Sequence, residues 1–189
     1  KFSRRREGFL LHAISYFDHQ TGCVPRPTIL LDKETADAHD NPVISMDDAG
    51  YVWIFSTSHG RSRPSYVHKS TAPYAVAEFE HVPVTKLKNG VEVPMDNFSY
   101  MQVWHLPVRG FISFVTRYED PADRTLFFMT SENGVNWSEW KRLAAIEKGH
   151  YQTSTCNAER AVTAFNYHPE PLGLNWRTNL YYLETPDFG

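Results

Sequence analysis

Apolar positions along the chain fall in short runs, alternating or continuous, each closed by turn residues, and this pattern predicts strands throughout. Lys1 to Lys33 holds FLLHAISYFD and PTILLD, joined through a turn at His19 to Gly22. From His39 to His59, the runs NPVISM and YVWIFSTS flank Asp47, Asp48, Ala49 and Gly50, the pattern of a hairpin with largely buried strands. After a break at Arg61 to Pro64 come SYVHKST (65–71), a helical turn over Ala72 to Glu78, FEHVPVT (79–85) and a loop from Lys86 to Pro94. The order then repeats with FSYMQVWHL (98–106) and GFISFVTRY (110–118), a break at Asp120 to Arg124, TLFFMTS (125–131), and WSEWKRL (137–143) beyond the turn Glu132-Asn133-Gly134. HYQTSTC (150–156), RAVTAFNYH (160–168), a loop at Pro169 to Gly173 and NLYYLET (179–185) begin a third cycle.

The third strands of these cycles start at about 65, 125 and 179, so the offsets are 60 and 54 residues. Short strands recurring four to a period argue for an all-β propeller of four-stranded antiparallel blades, because each such sheet covers its faces only by stacking on neighbours. The expected organisation is one partial propeller over 1–189, about three and a half blades, divided near 1–38, 39–86, 98–146 and 150–189. A β-sandwich is the alternative reading of many short strands. Helical architectures are excluded by the lack of capped 3.6-residue periodicity.

Composition agrees with a packed core: 41% of the 189 residues are hydrophobic and 14% aromatic. A net charge of −3 offers no basic field for nucleic acid, and Arg4, Arg5 and Arg6 read as a solvated end. No apolar run approaches the ~20 residues that span a bilayer. Cys23 and Cys156 are too few for a disulfide scaffold and read as buried thiols. The chain starts without Met and stops inside a turn, which predicts a piece of something longer.

That last turn, Thr185 to Gly189, and the turn Ser131 to Trp137 resemble the Asp-box, or BNR repeat. In such a turn the Asp or Asn side chain accepts backbone N–H groups, Gly takes a positive φ and Trp anchors on the core. The 131–137 copy is one residue short, and the 185 copy lacks its Trp. Together with HDNPVISMDDAGYVWIF, Ser58-His59, SYMQVW, FVTRY, YQTST and RTNLYYLET, these turns give a chain that resembles the BNR-type propellers that include ulvan lyases and related uronic-acid polysaccharide lyases. The resemblance covers about residues 9 to 189. It implies a seven-bladed propeller, secreted or periplasmic, acting on a polysaccharide or oligosaccharide. It also implies a site of two histidines about twenty residues apart with a Tyr and an Arg from the next blade. The matching positions are His39, His59, Tyr100 and Arg117.

Hairpin ends return to one sheet edge, so His39 with His59, Tyr100 with Arg117, and Tyr151 with His168 should open onto one propeller face. β-Elimination from a uronic acid requires neutralising the carboxylate, removing the C5 proton and protonating the leaving oxygen. Arg117 suits the first task and is expected beside Tyr100 as its cation. His39 and Tyr100 suit the proton transfers, and His59 orientation or neutralisation. Tyr151, Arg177 and Asn41 are substrate-contact candidates, and Trp176 a sugar-stacking one. The scheme requires no cofactor; His150, Cys156 and His168 are a candidate structural zinc set, and calcium is the other structural ion considered. The competing readings are a glycoside hydrolase, sialidase-like or rhamnosidase-like, and a non-catalytic carbohydrate-binding propeller. A general hydrolase needs two carboxylates at a set separation, whereas Asp40, Asp47 and Asp48 read as turn residues.

Overall fold

The computed structural model describes residues 2–6, 9–118, 124–144, 151–167, 169–173 and 176–187. Among them the regular structure is all-β apart from one 3-10 turn at Glu170–Leu172, and no helix is long and apolar enough to cross a membrane. Strands β1 (Phe2–Arg6), β2 (Phe9–Ile14) and β3 (Thr28–Asp32) form a first sheet, and β4 (Pro42–Met46), β5 (Val52–Ser56), β6 (Tyr66–Ser70) and β7 (Phe79–His81) a second. After the hairpin β8 (Thr85–Lys88) and β9 (Val91–Pro94), a third sheet contains β10 (Ser99–Leu106), β11 (Gly110–Tyr118), β12 (Arg124–Ser131) and β14 (Lys141–Ala144). The two-residue β13 (Asn136–Trp137) leaves that sheet to pair in parallel with β8. A last sheet holds β15 (Gln152–Cys156), β16 (Ala161–Tyr167) and β17 (Thr178–Thr185). All pairings within these four sheets are antiparallel.

Strand alternation explains how the sheets pack. On β5, Val52 and Ile54 join Ile14 of the first sheet, while Trp53 and Phe55 face Phe111, Val115, Phe127 and Met129 of the third. On β11, Ile112 and Phe114 point the other way, onto Ala161 of the last sheet. Both faces of these central strands are buried, so their sequences are continuous apolar runs. Strand β10 runs beside both β4 and β15, bringing the first strands of three sheets together.

The turns follow local chemistry. Asn133 Oδ1 accepts the N–H groups of Val135 and Asn136 at 2.9 Å each, Gly134 sits at φ 77°, and the buried Trp137 donates its indole N–H to Gly134 O at 3.0 Å. Asp47 does the same in its hairpin, accepting from Ala49, Tyr51 and the Trp53 indole.

Several sequence expectations are corrected. Lys86 to Pro94 is the β8–β9 hairpin turning at Asn89-Gly90, where both residues take positive φ, rather than a loop. FEHVPVT divides between β7 and β8, which belong to different sheets, and 72–78 holds a short turn at Pro73 and Tyr74 with bends and no helix. Cys23 is exposed and Cys156 half-buried, so neither is the fully buried thiol expected.

Candidate functional site

The chain leaving β3 forms a polar loop that seats both hairpin histidines. Thr35 Oγ1 accepts the Asp37 N–H at 3.1 Å, and Asp37 Oδ1 accepts the His39 N–H at 3.0 Å, an Asx turn that folds the His39 side chain back onto its own anchor. His39 Nδ1 lies 2.6 Å from Asp37 Oδ1. His59 arrives from the far end of the hairpin, with its N–H on Asp40 Oδ1 at 2.7 Å and its Nδ1 2.8 Å from Asp37 Oδ2. One carboxylate thus holds both rings, which stack at 4.4 Å between centroids and 27° between planes.

Beneath them lies a charge network. Arg63 grips Asp40 as a fork, Nε to Oδ2 at 2.9 Å and Nη2 to Oδ1 at 2.8 Å, and Nη2 also reaches Asp37 Oδ2 at 3.0 Å. Lys33 is buried, donating to Ser58 Oγ and Pro64 O, with Asp40 Oδ2 at 3.6 Å. Asp40 is fully buried. Partial burial opposes ionisation of Asp37, but the His39 N–H and both imidazoles outweigh it and hold the carboxyl well below the usual range. Burial likewise opposes ionisation of Asp40, and Arg63, the His59 N–H and Lys33 prevail. His12 anchors the loop from β2. Burial pushes it down to about 4, so it is neutral and donates from Nε2 to Asp40 O at 2.5 Å while Nδ1 accepts from Ser56 Oγ.

An ionised Asp37 can only accept, so Nδ1 of each histidine carries the proton and Nε2 is left as the basic nitrogen of the neutral ring. Tyr100 stands edge-on to both rings, at 6.2 Å from His39 and 5.7 Å from His59, and Tyr151 edge-on to Tyr100 at 5.8 Å. Tyr100 takes φ 49°, and the β10–β11 register slips between Ser99 and Gln102, a bulge in the strand at this residue. His39, Asn41, Thr57, Tyr100 and Tyr151 line a cavity of about 550 Å3. Arg177 lies over the Tyr151 ring at 4.8 Å.

The hairpin geometry therefore brings together His39, His59, Tyr100, Tyr151 and Asn41. Arg117 stacks on Trp140 at 4.6 Å and Phe127 at 5.1 Å and lines a separate cavity. Strand alternation accounts for the separation: Tyr100 lines its cavity with Gln102, Trp104 and Thr116, whereas Met101 and Val103 lie on the face of Val115. Cys156 donates to Asn157 O, and its proposed zinc partners His150 and His168 lie outside the described residues. Asp37, His39 and His59 instead place one ligand atom each within 4.8 Å of one another, a set of two imidazoles and one carboxylate of the kind that binds zinc. Trp53 is buried in the main core, and Trp104 donates to Ser154 Oγ across to β15.

The sequence reading missed Asp37, Arg63, Lys33 and His12, and it took the buried Asp40 for a turn residue. A usable signal was present in Asp37-Ala-His39-Asp40, where an Asx-turn acid sits two residues before a histidine. No protein-family model and no curated protein matches the chain.

Proposed function

We propose that this chain is the site-bearing part of a β-propeller polysaccharide lyase, which cleaves uronic-acid glycans outside the cytoplasm by β-elimination. The observation that carries the reading is the Asp37-bound pair of stacked imidazoles with Tyr100 edge-on to both. Support for the propeller comes from the face-to-face stacking of sheets in chain order with β4, β10 and β15 side by side.

In this scheme the substrate lies in the cavity with its scissile bond between His39 and Tyr100. His39 Nε2 takes the C5 proton as the C5–H electron pair moves toward the carboxylate, giving an enolate-like intermediate. The pair then returns to form the C4–C5 double bond as the C4–O bond breaks, and the Tyr100 hydroxyl protonates the leaving oxygen. The charge on the acid group is offset by His59 when protonated and by Arg177, held beside the Tyr151 ring that lines the cavity. Asp37 fixes the tautomer of both histidines, as the carboxylate does in a catalytic triad. Hydrolysis is the weaker reading, because both carboxylates here are held ionised by their hydrogen bonds and neither is disposed to act as a general acid.

The test is incubation with uronic-acid polysaccharides, followed by the ultraviolet absorbance of the unsaturated product. His39→Ala and Tyr100→Phe should each lower its rate by about 10²–10⁴-fold. Full activity in both variants, or reducing-sugar release without absorbance, would sink the lyase reading.

A further inference from the structure

Asp37, His39 and His59 form a ligand set as well as an acid/base one. Among the described residues they are the one group of three or more histidine, cysteine or carboxylate side chains that places a ligand atom from each within 4.8 Å of the others. Two imidazoles and a carboxylate suit a borderline cation and are the protein ligands of a zinc centre with an open fourth position. The set is positioned before any ion arrives. Thr35 Oγ1 takes the Asp37 N–H, Asp37 Oδ1 the His39 N–H, and Asp40 Oδ1 the His59 N–H, so a backbone hydrogen bond fixes each of the three residues. Side-chain exposures of 54% for His39, 30% for His59 and 27% for Asp37 leave a path in from solvent.

The surrounding charge admits a cation. Arg63 Nη2 lies 3.0 Å from Asp37 Oδ2, but its fork is held by Asp40, and Asp37 and Asp40 together balance Arg63 and the buried Lys33. Arg63 therefore lowers the affinity without barring the ion. Occupancy has a chemical consequence. An ion on Nδ1 displaces the proton shared with Asp37, so the neutral ring carries its one proton on Nε2; an ion on Nε2 covers the base itself.

We propose that Asp37, His39 and His59 bind a zinc-class divalent cation, and that the bound ion reversibly takes the basic nitrogen of His39 out of use. The metal site stands on its own ligands; its action as an off-switch for elimination rests on the proposed lyase function.

The experiment is a calorimetric titration of the full chain with zinc chloride against magnesium chloride, with cobalt(II) chloride as a visible-absorbance probe of the ligand set. One equivalent of zinc should bind saturably, magnesium should not, and cobalt should give the intense visible bands of a low-coordinate nitrogen and oxygen site. His59→Gln and Asp37→Asn should each weaken zinc binding by about tenfold or more, whereas Cys156→Ser should leave it unchanged. No saturable zinc binding, unchanged affinity in both ligand variants, or binding lost only with Cys156 overturns the proposal. Zinc should also shield His39 from acylation by diethyl pyrocarbonate, read by peptide mass; equal acylation with zinc bound overturns the loss of the base. Where the parent forms unsaturated product, zinc should stop it and a chelator restore it. A chain that binds zinc and shields His39 but forms no product from any uronic-acid glycan keeps the metal site and overturns only the lyase reading.

Discussion

Asp37 is the residue on which the histidine pair depends, since its two oxygens take one Nδ1 each. Asp37→Asn keeps the size but replaces one acceptor oxygen with a donor, so one ring must turn or change tautomer. We expect turnover to fall by about 10²-fold or more with little loss of substrate affinity, and the acid limb of the pH–rate profile to move. A matched drop in affinity with an unchanged profile would make Asp37 merely structural. The convergence of His39 and His59 was legible because it follows from antiparallel geometry. Their anchor was not. Asp40 and Arg63 are 23 residues apart, and loop acids and arginines read as solvated until a fold buries them.

Elements were legible where pattern and turn chemistry act locally, as in the Asn133 turn. Gly134 there takes φ 77°, and a Cβ would come within 3.0 Å of the rings of Phe111 and Trp53. Gly134→Ala should cost about 1–3 kcal/mol from overpacking beyond the strain of its φ. Gly90 at φ 76° has nothing within 4 Å of that position, so Gly90→Ala should lose clearly less in the same denaturant titration. Equal losses would mean that the rings yield freely. The β8–β9 hairpin was misread as a loop because its strands are short and Val91 and Val93 pair across from lysines, although Asn89-Gly90 is a strong hairpin signal. The bulge at Tyr100 has no sequence marker. It arises from a non-Gly residue held at positive φ by its surroundings.

For the whole molecule, the buried network predicts acid sensitivity. His12 has a folded value of about 4 against 6.5 unfolded, so below pH 6.5 the unfolded chain binds the extra proton and stability falls as pH drops toward 4. The loss from His12 alone is about 3 kcal/mol, and His68, also pushed down to about 4 by burial and then by His81, acts in the same window. Asp37 and Asp40 contribute at lower pH, below their ordinary 3.8. Denaturant midpoints measured from pH 7 to 4 should fall, and the slope should flatten in His12→Gln if that variant folds; a flat parent curve would refute the assignment. At this scale the sequence by itself determined the all-β class, most strands and the convergence of His39 and His59, because period-two alternation and turn geometry act within a few residues. Only the tertiary structure decided which charges lie beneath the histidines and that Arg117 belongs to a second cavity. Those outcomes depend on burial and on how the sheets pack, which are set by contacts far apart in the chain.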